Sequence, residues 1–134
     1  MNGVYEWDLG YSADLERAIA VVTAYFASPS MAAFLRAQSH EETGYGRLCS
    51  THLNFWNVGN TDAYPRSVAY ASPEIAGRAY CQFIDPWGNG AGRYGPFMRL
   101  VRSGVSDILT LATAIKAAGY ATDATYAQDV AGKP

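Results

Sequence analysis

Apolar residues recur at helical spacing along most of the chain, and short polar breaks divide the pattern into segments. Leu15, Ala18, Ile19, Val22 and Phe26 fall on one side of a helix, with Ser12 as its predicted N-cap and Asp14 in the positive first turn. Ser28-Pro29-Ser30 interrupts this helix and caps a second one beginning near Met31. In that second helix Met31, Leu35 and Gln38 share a face, and the pattern runs to Glu42 before Gly44 stops it. From Cys49 to Tyr70 there is no helical period, and the richness in Asn, Gly and Thr predicts loops with room for a short hairpin.

Ser72-Pro73-Glu74 is a helix start, with a capping hydroxyl, a proline at the first position and an acid in the first turn. Ile75, Ala79 and Phe83 then line one side of a helix that Asp85-Pro86 ends. Gly88 to Gly95 reads as a mobile glycine-rich loop, followed by a short helix over Phe97 to Arg102. Ser106-Asp107 opens another helix, with Ile108, Leu111, Ala112 and Ile115 as its stripe and Gly119 as its C-cap. Thr122 or Asp123 caps a last turn or two through Tyr126 and Val130. The pattern predicts a mainly α domain over residues 1–134, with one irregular or hairpin lobe between the second and third helices forming a groove.

Composition narrows the classes. A chain of 134 residues, 49% hydrophobic and 16% charged, buries a core and is not a disordered tail. Its net charge of −2 gives no broad basic surface, so no nucleic-acid partner is expected. The longest apolar segment, Ala18 to Ala27, falls far short of the ~20 residues that span a bilayer, and no membrane partner is expected. Met1 to Gly10 lacks a basic stretch followed by an apolar one, so no signal peptide is read there. Cys49 and Cys81 are too few for a disulfide framework; two buried thiols or one bridge remain open, with free thiols expected. Ten tyrosines and three tryptophans suit a groove for sugars or peptides, and equally an ordinary core.

Among candidate chemistries, Glu42 comes first. At roughly 100° per residue it lies near the axis of the Met31–Leu35–Gln38 face, whereas Glu41 lies toward the edge. A carboxyl on the apolar side of a helix is desolvated and holds its proton near neutral pH, as a general acid for a glycosidic oxygen requires. The opposing reading places Glu42 at a helix end facing water. A second carboxylate at about 5–5.5 Å would suit a covalent nucleophile, and one at about 6.5–9.5 Å would leave room for water. Asp62, in the irregular lobe, is free for that role; Glu74 and Asp107 are explained by helix N-termini and Asp123 by a cap. The run Gly88-Asn89-Gly90-Ala91-Gly92-Arg93-Tyr94-Gly95 lacks the Lys-Ser/Thr of a phosphate loop. Cys49, His52, His40 and Cys81 match no zinc spacing, and no nucleophile sits in a recognisable triad setting.

Four ordered stretches resemble the bacterial and phage glucosaminidases, peptidoglycan hydrolases that include the flagellar muramidase and autolysin catalytic domains. Ala37-Gln38-Ser39-His40-Glu41-Glu42-Thr43-Gly44-Tyr45-Gly46 is similar to their AQ…E-[ST]-G-W-G segment, and Asn54-Phe55-Trp56-Asn57-Val58-Gly59-Asn60 to their N-L-F-G-I-K-G loop. Ala69-Tyr70-Ala71-Ser72-Pro73-Glu74 resembles the run entering the next helix, and residues 118–127 (AGYATDATYA) resemble A-G-Y-A-T-D-P-x-Y-A. The resemblance implies a lysozyme-like helical fold split by a groove, with the Gly59–Tyr70 lobe on one wall. It implies Glu42 as general acid, Tyr120 lining the cleavage site, and Phe55 and Trp56 on the sugar-binding wall.

Gln38, Tyr45, Asn57, Tyr70, Asp123 and Tyr126 fall in the matched segments and are further candidates for contact with the sugar chain. Trp87 and Tyr94 could form a flexible rim over it, or belong to an ordinary surface loop. The implied reaction is hydrolysis of the β-1,4 bond between N-acetylglucosamine and N-acetylmuramic acid, with no metal or organic cofactor. Tyr45 replaces the family's tryptophan, and residues 60–69 are shorter than the hairpin on which many members present a second acid. Asp62 is therefore chosen by position, and the substrate's N-acetyl oxygen is an alternative internal nucleophile. The expected partners are peptidoglycan strands, with phage lysis or virion components possible, and the expected site of action is the bacterial cell wall. The rival readings are a lytic transglycosylase or muramidase on the same fold and a non-catalytic glycan-binding phage structural protein.

Overall fold

The computed structural model describes residues 3–47, 53–59 and 68–134. Its helices are α1 (Gly3–Phe26), α2 (Ala32–Thr43), α3 (Pro73–Ile84), α4 (Gly95–Arg102), α5 (Ile108–Ala117) and α6 (Tyr126–Ala131), with a 3-10 turn at Pro29–Met31 leading into α2. No strand occurs among the described residues, and the fold is mainly helical, as expected. The hairpin, Asp62, His52 and Cys49 lie outside the described residues. Cys81 is a free, buried thiol whose pKa burial pushes up to about 12, consistent with the reading of free thiols.

α1 begins well before Ser12, which is exposed within the helix and caps nothing. No proline interrupts residues 3–11, so the helix propagates past a hydroxyl that can cap but cannot stop it. Asp14 consequently lies in mid-helix, 3.5 Å from Arg17. The predicted stripe is buried, from Leu15 at 1% exposure to Val22 at 0%. Ala27 in the left-handed region (φ 52°) and Pro29 end the helix. Ser28 Oγ then donates to the Val101 carbonyl (2.9 Å) and ties this corner to the end of α4.

α3 starts where predicted, with Ser72 Oγ accepting from the Ile75 amide (3.2 Å). Its buried face is not the one expected. Ile75 is 38% exposed, whereas Ala76, Tyr80 and Ile84 form the buried stripe. The close seam with α1 turns the helix this way: a Cβ on Gly77 would stand 2.7 Å from the Ala18 carbonyl oxygen and 2.9 Å from Val21 Cβ. Gly77→Ala is expected to destabilise the chain by about 2 kcal/mol despite alanine's better helix propensity, because the helices must separate. A lowered urea midpoint at unchanged slope would register the loss.

α5 packs on α6, α4 and α2, and α2 also meets α1 and α6. Asp107 caps α5 by accepting from the Thr110 amide (2.9 Å), and Leu111, Ala112 and Ile115 are fully buried, as the spacing predicts. α4 begins two residues earlier than expected, because Pro96 suits a first helical turn. Asp85 closes α3 and anchors the following loop. Its buried carboxyl accepts from the Tyr25 hydroxyl (2.7 Å) and the Gly90 amide (2.9 Å), with Arg102 at 3.9 Å. Burial opposes this charge, but those partners hold the carboxyl below its usual range. The loop from Gly88 to Gly95 is therefore held by specific bonds, including Ala91 N to Asn89 Oδ1 (3.0 Å) and Gly95 N to Gly92 O (3.0 Å).

Candidate active site

The stripe that carries α2 into the core ends in a polar residue and then an acid. Met31, Leu35 and Gln38 are fully buried, and Glu42, one turn beyond Gln38, is half-buried. Thr43 Oγ1 donates to the Ser39 carbonyl (2.7 Å) and accepts from the Gly46 amide (2.8 Å), bending the chain away directly after Glu42. Gly44 and Tyr45 follow in the left-handed region at φ 59° and 60°. Gly46, at φ 93°, runs against the Tyr11 ring so closely that a Cβ would lie 2.3 Å from it. The Thr43-Gly44-Tyr45-Gly46 segment is thus a device for ending α2 with the acid at its lip. Tyr45 is 43% exposed and stacks on His40 with ring centroids 4.5 Å apart.

Burial pushes the Glu42 pKa up to about 7, the nearby charge of Glu41 adds to the rise, and hydrogen bonds from Tyr126 and Asn57 oppose it. Beneath the carboxyl lies a buried chain of hydrogen bonds. Tyr80 OH donates to Gln38 Oε1 (2.8 Å), Gln38 Nε2 donates to Tyr126 OH (3.2 Å), and Tyr126 OH donates to Glu42 Oε2 (2.7 Å). Each link fixes the next, because an amide N–H can only donate and the Tyr126 hydroxyl has one proton to give. Oε2 is therefore held as an acceptor, and the acidic proton belongs on the other carboxyl oxygen. Burial raises the Tyr80 and Tyr126 hydroxyls far above their usual range, so both remain protonated.

Asn57 reaches Glu42 from the loop at residues 53–59. Asn54 closes that loop, its Nδ2 donating to the Val58 carbonyl and its Oδ1 accepting from the Val58 amide, both at 2.9 Å. Asn57 itself sits in the left-handed region (φ 58°), which asparagine tolerates better than most residues. Trp56 is 1% exposed and donates its indole N–H to the Leu35 carbonyl (2.9 Å), while Phe55 is also 1% exposed. These two rings are core residues that seat the loop on α2, and they form no sugar-binding wall. Their large apolar area favours burial over a place in the groove.

Several other expected contacts are relocated. Gln38 is buried beneath the carboxyl and touches Tyr80 and Tyr126, where the sequence reading had it meeting sugar. The half-buried Tyr120 gives its hydroxyl proton to the Trp56 carbonyl. Its ring packs among those of Tyr80, Phe83, Tyr94 and Tyr126. Asp123 accepts from the Thr125 amide and hydroxyl (both 2.9 Å), so its carboxylate organises the approach to α6 and hence the placement of Tyr126. Tyr70 is half-buried against the core ahead of α3.

Tyr94 is no rim residue: it is 2% exposed, and its hydroxyl is buried without a hydrogen-bond partner among the described residues. Tyr94→Phe is expected to raise stability by about 1 kcal/mol, since it removes an unsatisfied buried donor at little cost in volume. An upward shift of the urea midpoint would show it. Trp87, by contrast, is 69% exposed. It lines a pocket of about 310 Å³ with Phe83, Pro86, Arg93 and Tyr94. Phe83 and Tyr94 also touch the Tyr120 ring at centroid distances of 5.8 and 6.2 Å.

Sequence reasoning missed Tyr80 and the role of Tyr126 as the partner of Glu42. The available signal was Gln38 itself, a polar residue in mid-stripe that must find buried partners. A half-buried carboxyl whose proton is held to near neutral pH, oriented by Tyr126 and Asn57, is an arrangement suited to delivering a proton.

A family model described as mannosyl-glycoprotein endo-beta-N-acetylglucosaminidase matches residues 18–132, a span that includes Glu42, Tyr120 and Tyr126. The chain belongs to this glucosaminidase family, and so to the glycoside hydrolases. No curated protein and no solved structure matches it.

Proposed function

We propose that the protein is a peptidoglycan hydrolase that cuts the β-1,4 bond between N-acetylglucosamine and N-acetylmuramic acid, with Glu42 as its general acid. The observation that carries this reading is the Glu42 carboxyl, half-buried, held by Tyr126 at one oxygen and with a pKa pushed up to about 7. Glu42 gives its proton to the glycosidic oxygen as the bond from that oxygen to the anomeric carbon breaks. Water then adds at the anomeric carbon and its proton restores the acid. The developing positive charge is met by Asp62 or by the N-acetyl oxygen of the substrate itself. Asn57 and Tyr126 orient the acid, and Tyr120 holds the loop that carries Asn57. The partners are then peptidoglycan strands at the bacterial cell wall, and a place in a phage lysis or virion system fits the same chemistry.

Mass spectrometry of the fragments from defined peptidoglycan tests this reading. A reducing N-acetylglucosamine end is expected. A reducing N-acetylmuramic acid end would assign muramidase cleavage, an anhydro-muramic end would assign transglycosylation, and glycan binding without product would make the chain a binding module. Each of these three results overturns the proposal.

A further inference from the structure

The loop between α3 and α4 places an aromatic plate and a cation in one pocket. The indole of Trp87 is largely exposed, yet its position is set: a Cβ on Gly92 (φ 94°) would come within 2.8 Å of its ring, so the loop backbone lies directly against it. The guanidinium of Arg93 lies 4.8 Å from the Tyr94 ring centroid and 5.8 Å from that of Phe83. Gly119 passes beside it, where a Cβ would stand 3.1 Å from the Arg93 Nη1. Arg17, Arg36 and Arg102 each face a carboxylate within 4 Å. Arg93 has no such partner among the described residues.

We infer that this pocket is a subsite for a carboxylate-bearing pyranose of the glycan strand, with the sugar ring on Trp87 and the carboxylate on Arg93. The inference rests on the glycan reading above and adds to it a determinant of which sugar is accepted. A neutral sugar would need only the indole plate. The guanidinium, held against two rings and a glycine, offers a planar fork that matches a carboxylate. The pocket is connected to the acid through rings: Phe83 and Tyr94 touch Tyr120, which touches Tyr126, the partner of Glu42. In this reading a strand seated at Glu42 lays another of its sugars over the pocket. In peptidoglycan the carboxylate has two sources, the lactyl ether of peptide-free muramic acid and the acids of the stem peptide.

Calorimetric titration of the full chain carrying Glu42→Gln, so that ligand is not consumed, tests the subsite. The probes are a peptide-free muramyl tetrasaccharide, a stem-bearing one, and the carboxyl-reduced form of each. An acid form is expected to bind about tenfold more tightly than its reduced form, the scale of one charge-assisted pair near water. Arg93→Met should abolish that preference, and Arg93→Lys should keep part of it, since an ammonium retains charge but cannot fork or lie flat. Preference for the peptide-free acid assigns the lactyl group, and preference only among stem-bearing ligands assigns the peptide. Absence of preference in every pair, or preference that survives Arg93→Met, overturns the subsite. Failure of the parent to cleave walls while the preference is present would remove the hydrolase reading alone.

Discussion

Glu42→Gln is expected to lower the rate of cell-wall clearing by about 10³-fold, within the range typical of general-acid catalysis, and at the same time to make the folded chain more stable in alkaline solution. Both effects come from one environment. Burial raises the Glu42 pKa from 4.5 to about 7, so the folded chain holds a proton at pH values where the unfolded chain has released it. Stability from this site is therefore full below pH 4.5 and falls as pH rises through the window up to about 7. Glutamine does not titrate. The stability of the variant relative to the parent should grow by up to about 3 kcal/mol between acid and pH 8. In the parent, clearing should be sustained below pH 7 and decline above it, as the acid loses its proton. Turbidity assays against pH, paired with urea unfolding at pH 4.5 and pH 8, check both halves. Clearing by the variant at the parental rate would remove Glu42 from the mechanism.

Gln38→Leu should do the opposite to stability. The substitution keeps the volume of a fully buried position but deletes the acceptor of Tyr80 and the donor to Tyr126. Tyr80 OH is then left buried and unsatisfied, and a loss of about 3 kcal/mol is expected at every pH where the parent is folded. The Tyr126 hydroxyl also loses the contact that aims its proton at Glu42, so clearing by the variant should fall even at temperatures where it remains folded. A urea titration and a turbidity assay on the same sample separate the two. A variant as stable as the parent would mean that the buried chain of hydrogen bonds contributes nothing to the fold.

Much of this architecture was legible in the sequence because it rests on local rules. Ser72-Pro73-Glu74, Asp107 and Gly44 each mark a helix end through their own backbone chemistry, and all three ends occur where the residues place them. Glu42 was legible for a similar reason, since helical spacing alone put it in line with Met31, Leu35 and Gln38. The errors fall where distant segments decide. The face of α3 is set by the closeness of Gly77 to α1, a contact that periodicity within α3 does not contain. The family resemblance implies Phe55 and Trp56 on the groove wall, but ring chemistry suits sugar and core alike. Burial, with the indole bonded to the Leu35 carbonyl, makes them core. Asp123 and Gln38 are polar residues in matched segments whose partners lie within the protein. The partnership of Glu42 with Tyr126 joins positions 84 residues apart and has no local signature.

The carboxylate of Asp85 has a use in engineering. It fastens the chain just before Pro86 to α1 through Tyr25 and to the glycine run through Gly90, while the buried Tyr94 ring fastens the chain again at the start of α4. Residues 86–89 and 91–93 are thus exchangeable between two rivets, with Gly90 kept as the amide that Asp85 holds. If the proposed subsite holds, exchanging them would alter which polymers are favoured while leaving the bond between Glu42 on α2 and Tyr126 on α6 intact.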